Sequence, residues 1–243
     1  MNNEHQRIKT AFERFYTGIS NTNTKEDLTL DKTTDLLNDF SFICALLYYL
    51  VDHNKANMKD LKILDSGCGN GRMLRKLCEL GAVRDNCYGV DINQDIIDYA
   101  IDNSPRSIHY EVGDIAETKF PDDYFDLVLN LGVLIHILDD NYVAKIAREL
   151  HRIIKPGGLI FITFTPEGVI WGKDICDITR NFDITNLVKT FGDFQYLGAH
   201  NIYSDIYRGY NYLSDILKAL ENNAINTTYK LIVLKKALTE GAK

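Results

Sequence analysis

The chain has 243 residues, which is the length of one ordinary domain and is enough to bury a hydrophobic core. Hydrophobic residues make up 45% and charged residues 25%, which excludes a disordered or collagen-like chain. The formal net charge of −7 disfavours nucleic acid and anionic membranes as partners, because both are bound through a basic face. The five cysteines include no Cys-x-x-Cys pair, so neither a disulfide framework nor a metal site is predicted.

The first 60 residues are predicted to form an N-terminal helical extension or cap. Residues 1–9 are polar and lack the apolar core of a signal peptide, and no stretch reaches the roughly 20 apolar residues that span a bilayer. A cytoplasmic location is therefore expected by default. A long apolar stripe is expected to pack on the domain, and it consists of Leu36, Leu37, Phe40, Ile43, Cys44, Leu47, Tyr48 and Val51. An earlier apolar stripe ends at Phe15 and Tyr16. These two side chains either pack on the domain or close over a ligand.

A glycine-rich segment follows the first predicted strand, at 61–64. Asp65 ends the apolar run, Gly67, Gly69 and Gly71 follow, and a helix is predicted over 72–80. Alternate glycines allow a sharp turn and a close approach of a ligand, and the helix offers free N–H groups. The loop is not a phosphate-binding P-loop, because the Lys-Ser/Thr ending is missing. Its Gly-x-Gly-x-Gly spacing also differs from the Gly-x-Gly-x-x-Gly of dinucleotide-binding sites. The loop indicates a nucleoside-bearing ligand, with a purely structural turn as the alternative.

From residue 61 onward, predicted strands alternate with predicted helices. This alternation predicts an α/β domain over 61–243, with a mostly parallel sheet and helices on both faces. The predicted strands cover 61–64, 86–90, 108–112, 126–131, 159–164, about 194–203 and 229–234, the last one antiparallel. The predicted helices cover 72–80, 94–103, 141–154 and 184–190, with a shorter one near 115–118 and a helical insertion over about 207–224. The insertion is either a lid on the substrate side or a packing element.

Polar side chains stand where successive strands end, which is where ligands bind in such sheets. Asp91 lies a little over 20 residues beyond the first loop glycine and can accept hydrogen bonds from ribose hydroxyls. Asp114 can accept a hydrogen bond from an exocyclic amine, with Ile92 and Ile115 against the faces of the base. Asn130 ends the fourth strand. Each acid alone could equally be an exposed loop residue or a helix cap.

These motifs, taken in order, resemble those of the class I S-adenosylmethionine-dependent methyltransferases. The resemblance rests on Leu64-Asp-Ser-Gly-Cys-Gly-Asn-Gly71, Tyr88-Gly-Val-Asp91, Gly113-Asp114, Phe125-Asp-Leu-Val128 and Leu150 to Gly158. It covers about 61–165 closely and implies a Rossmann-like, seven-stranded sheet that takes S-adenosylmethionine and releases S-adenosylhomocysteine. Val133-Leu-Ile-His136 and the Lys-Pro-Gly-Gly turn resemble the small-molecule branch, which implies a small-molecule acceptor in biosynthesis.

The resemblance also implies roles for individual residues. Asp65 and the loop Gly67–Gly71, including Cys68 and Gly69, would hold the methionyl end of the cofactor. Asp91 would bind the ribose, Asp114 and the two isoleucines the adenine, and Asn130 would lie near the sulfonium. The Asn-Pro-Pro-Tyr type of motif found in many DNA methyltransferases is absent. The sequence also allows a homodimer.

His136 is the candidate general base, because it follows strand four and a histidine can take a proton near neutral pH. Alternatively, His136 caps or packs at the start of the loop before Asp139. The acceptor pocket is expected to be lined by Tyr16, Trp171, Arg208 and Tyr210. They lie in inserted or terminal segments of the chain, where substrate specificity usually resides.

Three functions compete at this point. The first is methyl transfer to an O or N atom of a small molecule, such as a sugar, a nucleotide-linked intermediate or a secondary metabolite. The second is a catalytically silent, methyltransferase-like binding subunit. The third is a nicotinamide-dependent oxidoreductase, which the glycine spacing opposes.

Overall fold

A computed structural model of the protein describes residues 6, 7, 9, 10, 33–169, 179–202 and 229–238, and of 33–38 the backbone alone. Residues 6, 7, 9 and 10 are helical. The helices are α1 (Thr33–Asp52), α2 (Arg72–Glu79), α3 (Gln94–Asp102), α4 (Asp140–Ile153) and α5 (Ile184–Thr190). The strands are β1 (Ile63–Ser66), β2 (Cys87–Asp91), β3 (His109–Val112), β4 (Phe125–Asn130), β5 (Ile154–Phe164), β6 (Phe194–Ile202) and β7 (Tyr229–Lys236).

The seven strands form one sheet in the order β3-β2-β1-β4-β5-β7-β6. The first five are parallel to their neighbours, and β7 runs antiparallel to both β5 and β6. The terminal strand therefore lies between β5 and β6, and β3 and β6 are the two edges of the sheet. The predicted mostly parallel, Rossmann-like sheet with an antiparallel terminal strand is confirmed.

Two hydrophobic clusters cover the two faces of the sheet. One contains α1 and α2, represented by Leu46 and Leu74, which pack with Phe161 of β5. The other contains α4 and α5, represented by Ile146 and Leu187.

Helix α1 packs on the domain, but the predicted stripe within 36–51 is wrong. Its members Phe40, Leu47, Tyr48 and Val51 are exposed, and the helix packs through the opposite face, which carries the buried Leu46 and Leu50.

Apart from shifts of one or two residues in element bounds, such as the first strand at Ile63–Ser66 and not 61–64, the structure differs from the predicted elements in two places. The helix predicted near 115–118 is a turn, in which the Glu117 amide donates to the Asp114 carbonyl at 3.0 Å. Strand β5 begins at Ile154, before the Pro-Gly-Gly segment that was expected to separate helix from strand. A register shift between Phe125 and Leu127 accommodates this early start.

The predicted insertion at 207–224 lies outside the described residues. None of the helices within the described ranges combines the length and apolarity that crossing a membrane requires.

Candidate functional site

A cavity of about 330 Å³, the first cavity, opens at the carboxyl ends of β1, β2 and β3. It is lined by many of the predicted site residues: Asp65, Gly67, Cys68, Gly69, Asp91, Ile92, Asp114, Ile115 and His136. Asn70 of the predicted loop also lines it, together with residues that the sequence did not single out as ligand contacts: Arg72, Met73, Ile96, Gly113, Leu131, Gly132, Val133, Ile137 and Tyr142. Residues at four strand ends and on three helices thus converge on one space.

The glycine loop is fixed by backbone hydrogen bonds to β2. The amides of Gly67 and Cys68 both donate to the Val90 carbonyl, at 2.7 and 3.0 Å. Gly67, Gly69 and Gly71 all have positive φ angles, of 86°, 50° and 76°. A side chain at any of them would be strained, because L-residues seldom occupy this region. The loop is therefore preformed, and helix α2 starts directly after it.

Two of these glycines are required by the protein's own packing. A Cβ at Gly67 would lie 2.2 Å from Val133 Cγ2, and one at Gly71 would lie 2.3 Å from the Tyr110 hydroxyl oxygen. Gly71 does not line the first cavity among the described residues and instead caps α2. The structural explanation thus holds at Gly67 and Gly71, while the ligand explanation stays a prediction for Gly67 and Gly69, which line the first cavity.

Asp91 ends β2 and is held by the loop. Its Oδ2 accepts from the Gly69 amide at 3.0 Å, and its Oδ1 accepts from the Asn93 amide at 3.1 Å. Each carboxylate oxygen has a second lone pair, so both remain able to accept from a ligand hydroxyl. Burial raises the pKa of Asp91, while these amide hydrogen bonds lower it. The geometry suits the predicted ribose contact, which stays a prediction.

Asp65, at the carboxyl end of β1, is 3% exposed and faces the same cavity. Burial and the nearby Asp91 carboxylate raise its pKa to about 8, although Arg72 opposes the shift. Among the described residues, no group donates a hydrogen bond to its carboxylate. A buried carboxylate of this kind is costly unless a cation meets it. The ammonium or sulfonium of a methionyl group would do so.

Asp114 follows β3, the edge strand. Its Oδ1 accepts from the Ala116 amide at 2.8 Å, and its Oδ2 accepts from the Tyr142 hydroxyl at 2.6 Å. Tyr142 lies on α4 and is 3% exposed. Ile92 and Ile115 also line the cavity, as expected for contacts with the faces of a base. The predicted adenine contacts are thus brought together, and Tyr142 orients the carboxylate.

Asn130 lies deeper than predicted. It is fully buried, and its Nδ2 donates to the Ser66 carbonyl at 3.2 Å and to Ser66 Oγ at 3.0 Å, which links β4 to β1. Its Oδ1 has no hydrogen-bond partner among the described residues. Asn130 is not among the described residues that line the first cavity. Its place near the sulfonium stays a prediction.

His136 lines the first cavity from a 3₁₀ turn, Leu134–His136. Its backbone carbonyl accepts a hydrogen bond from Arg7 at 2.6 Å, so the N-terminal segment reaches this turn. Cys68, also in the lining, is buried, and this burial raises its pKa well above the ordinary value. The thiol is therefore neutral and is not a nucleophile.

The four predicted acceptor-pocket residues, Tyr16, Trp171, Arg208 and Tyr210, lie outside the described residues. Tyr142 and Arg72 are the polar lining residues that sequence reasoning missed. Tyr142 gave no local signal, because its contact with Asp114 spans 28 positions of the chain. Arg72 could have been noticed, since it opens the helix after the glycine loop.

A smaller space, the second cavity, of about 220 Å³, adjoins the first. The two cavities share four lining residues, Arg72, Met73, Leu131 and Gly132. The second cavity lies toward β5, and its remaining lining is Asp39, Phe42, Thr163, Ile202 and Tyr229. The site thus has two connected parts along the sheet.

Comparison with known proteins agrees with this geometry. Residues 64–162 match the family model described as a methyltransferase domain. A tRNA (carboxymethyluridine(34)-5-O)-methyltransferase of Arabidopsis thaliana is 31% identical over 103 residues, which cover 42% of this chain and 23% of that protein. The ubiquinone biosynthesis O-methyltransferase of Pelagibacter ubique is 30% identical over 108 residues, which cover 43% of this chain and 42% of that protein. The chain thus spans less than half the length of these curated relatives.

Solved structures extend the likeness to the whole fold. The magnesium protoporphyrin IX methyltransferase of Synechocystis PCC 6803, solved with bound S-adenosylmethionine, superposes with a TM-score of 0.65 at 15% identity. The superposition covers 98% of this chain and 99% of that one. The motif series, the sheet order and the family match agree, and residues 64–162 match a methyltransferase domain.

Proposed function

We propose that the protein transfers the methyl group of S-adenosylmethionine to an O or N atom of a small molecule. The observation that carries the proposal is the row of three carboxylates across the first cavity. The three carboxylates lie at the ends of neighbouring strands: Asp114 follows β3, Asp91 ends β2, and Asp65 lies at the carboxyl end of β1. Their spacing along the sheet suits an adenine amine, ribose hydroxyls and a cationic methionyl end in that order.

The donor set fits this cofactor on its own chemistry. Asp65 offers an ionisable carboxylate that no described donor satisfies, and Asp91 offers free lone pairs on both oxygens. When bound, S-adenosylmethionine supplies a methyl carbon that is already activated by positive sulfur. The residues of the chain therefore have to bind, align and exclude water, which requires no covalent catalysis.

His136 is the proposed general base, because an O–H or N–H acceptor must lose a proton as the methyl group is transferred. It lines the first cavity at the end that lies beyond β4. A packing role for this turn is the alternative, since its backbone carbonyl already binds Arg7.

Isothermal titration with S-adenosylmethionine and S-adenosylhomocysteine tests the cofactor, and absence of binding by both contradicts the proposal. Release of S-adenosylhomocysteine in the presence of phenol, amine and sugar acceptors tests the reaction. Cofactor binding without any release across this panel would favour the silent binding subunit. Protection against thermal unfolding by NAD or NADP, and not by S-adenosylmethionine, would favour the oxidoreductase.

A further inference from the structure

Two thiols that the proposed function does not use lie in contact at the amino end of β2. Cys78 Sγ, in the last turn of α2, is 3.8 Å from the Sγ of Cys87, the first residue of β2. Cys87 is fully buried, whereas Cys78 is partly exposed. Neither cysteine is among the described residues that line the two cavities.

The chain reversal between α2 and β2 brings the two thiols together. Gly81 has a φ of 105°, and α2 ends in a Schellman motif around it. The Ala82 amide donates to the Leu77 carbonyl at 2.9 Å, and the Gly81 amide donates to the Cys78 carbonyl at 3.1 Å. A 3₁₀ turn over Arg84–Asn86 then leads directly into β2. Because this connection is hydrogen-bonded, the backbone holds the two side chains close to each other.

Cys78 has the surroundings of a reactive thiol. The single S–H of Cys87 has two acceptors within reach, the Val83 carbonyl at 3.4 Å and Cys78 Sγ. Its hydrogen bond lowers the pKa of Cys78, and the positive charge of Arg84 lowers this pKa further. Burial and the Glu79 carboxylate oppose the shift without reversing it. Since the thiolate is the form that attacks an oxidant, Cys78 is the more reactive of the two cysteines.

Cys87 has the opposite surroundings and suits a second step. Its hydrogen bond with Cys78 and its burial raise its pKa, so it stays a neutral thiol that solvent does not reach. A sulfenic acid formed next to such a thiol condenses with it to a disulfide. The two sulfurs are 3.8 Å apart, so closing the bond to about 2.0 Å requires a shift of about 1.8 Å.

We propose that Cys78 and Cys87 form a thiol pair that reacts with hydroperoxides, in which Cys78 is oxidised first and Cys87 then forms a disulfide with it that fastens α2 to β2. In the first step the Cys78 thiolate attacks one oxygen of hydrogen peroxide, the O–O bond breaks, and a sulfenic acid and hydroxide form. In the second step the Cys87 sulfur attacks the Cys78 sulfur, the S–O bond breaks, and the hydroxyl leaves as water with the thiol proton. Two electrons pass from the sulfurs to the peroxide. With the proton that Cys78 released, the products are one disulfide and two water molecules.

The disulfide would act on the frame of the first cavity and not on its lining. Both elements contribute to the cavity at their other ends, since Arg72 opens α2 and Asp91 ends β2. Cys78 lies roughly 9 Å along the helix from Arg72. Cys87 lies roughly 13 Å along the strand from Asp91. The inference therefore does not depend on the proposed function, and a failure of either leaves the other standing.

Peptide mapping of the wild-type chain tests the pair without any variant. Trypsin cuts after Arg84, between the two cysteines, and places each of the five cysteines in a different peptide. After treatment with hydrogen peroxide and alkylation of the remaining thiols, a non-reducing digest should contain peptide 77–84 linked to peptide 85–106. Dithiothreitol should separate the two peptides.

Cys44 is the matched control in the same digest. It is more exposed than Cys78, so it would react first if exposure alone decided the rate. Cys78 should instead be oxidised several-fold faster than Cys44. Oxidation of Cys44 without linkage of 77–84 to 85–106 would overturn the pair. Linkage that forms as fast in concentrated urea as in buffer would overturn the role of the folded contact.

Two variants separate the roles of the thiols. Cys87→Ser should leave Cys78 as a sulfenic acid that dimedone labels and that excess peroxide converts to sulfinic acid. Cys78→Ser should leave Cys87 unoxidised, because Cys87 is buried. Cys44→Ser should form the disulfide as wild type does. Oxidation of Cys87 in Cys78→Ser at the wild-type rate would overturn the order of the steps, even if Cys87→Ser fails to fold.

Thermal unfolding tests whether the disulfide fastens α2 to β2. A bond that closes residues 78–87 restricts the unfolded chain, so the Tm of the oxidised protein should be higher by about 5 °C than that of the reduced protein. Peroxide-treated Cys78→Ser controls for oxidation elsewhere in the chain and should show no such rise. An unchanged or lower Tm of the linked wild type would overturn the fastening.

Discussion

The Tyr142 hydroxyl donates a hydrogen bond to Asp114 Oδ2 at 2.6 Å and so links helix α4 to the end of β3. Both groups line the first cavity. The second oxygen of Asp114 is held by the Ala116 amide. The carboxylate proposed to contact adenine is therefore fixed in orientation before any ligand arrives.

Tyr142→Phe should weaken binding of S-adenosylhomocysteine about fivefold, which corresponds to the loss of roughly 1 kcal/mol from one orienting hydrogen bond. Isothermal titration measures the change. Tyr124→Phe is the matched control, because the Tyr124 hydroxyl contacts Tyr88 and not the first cavity. Equal affinities of Tyr142→Phe and wild type would remove Tyr142 from the site.

Asp91→Ala should weaken cofactor binding about tenfold or more, since both the ribose contact and the hydrogen bond to the Gly69 amide are lost. Asp95→Ala, at an exposed position in the first turn of α3, should change nothing. Asp91→Asn keeps one side-chain oxygen, so its cofactor affinity should lie between that of Asp91→Ala and that of wild type. Wild-type affinity in Asp91→Ala would refute the ribose role.

Asp65 should make the ligand-free protein less stable as pH rises. Its pKa is raised from 3.8 to about 8 by burial and by Asp91. Between these values the unfolded chain has released the proton and the folded chain has not, so the free energy of unfolding falls as pH rises. Each pKa unit corresponds to about 1.4 kcal/mol, so the change is on the order of a few kcal/mol.

Urea unfolding of wild type and Asp65→Asn at several values between pH 5 and pH 8 measures this slope. Asp65→Asn should have a flatter profile and should be more stable than wild type near pH 8. Asp91 is present in both proteins, so the difference between them isolates Asp65. Parallel profiles would show that Asp65 does not titrate in this range.

Binding of S-adenosylhomocysteine should strengthen with pH for a related reason. Only the ionised form of Asp65 attracts an ammonium group, so the observed affinity should fall by up to about tenfold for each pH unit below the pKa. In Asp65→Asn the affinity should be lower and nearly independent of pH. Titrations at pH 6, 7 and 8 in one buffer series distinguish the two profiles.

His136→Ala should lower turnover about 100-fold or more, as expected for loss of a general base, with cofactor affinity close to wild type. Turnover is measured with whichever acceptor releases S-adenosylhomocysteine. His109→Ala is the control, because His109 is exposed on β3 and stacks on Tyr88. Undiminished turnover would assign His136 to packing.

Gly89→Ala should destabilise the fold, although Gly89 is not a lining residue of the first cavity among those described. Its Cβ would lie 2.6 Å from Tyr110 Cδ1 and 2.9 Å from Cys68 Sγ. Overpacking of this kind costs about 1–3 kcal/mol. In a double-mutant cycle followed by urea unfolding, Tyr110→Leu should relieve most of the cost. Additive losses would exclude this contact as the cause.

The sequence predicted the sheet and about half of the residues that line the first cavity, because their signals are local. Apolar runs, glycines and strand-end acids are read within about ten residues, and Asp65, Asp91 and Asp114 do line one space. Partners far apart in the chain gave no such signal. The contact of Tyr142 with Asp114 and the ion pairs of Asp39 with Arg72 and Lys76 depend on helix packing, which periodicity does not specify.

The order of the strands also has a consequence for motion. β1 is buried at all four residues and has a neighbour on both sides, whereas β3 is mostly exposed and pairs with β2 alone. Local opening should therefore require the least free energy at β3 and the most at β1. The methionyl end of a cofactor would be held by the most rigid part of the sheet and the adenine end by its most easily opened edge. When the cofactor binds, the amides of β3 should therefore gain the most protection against hydrogen exchange.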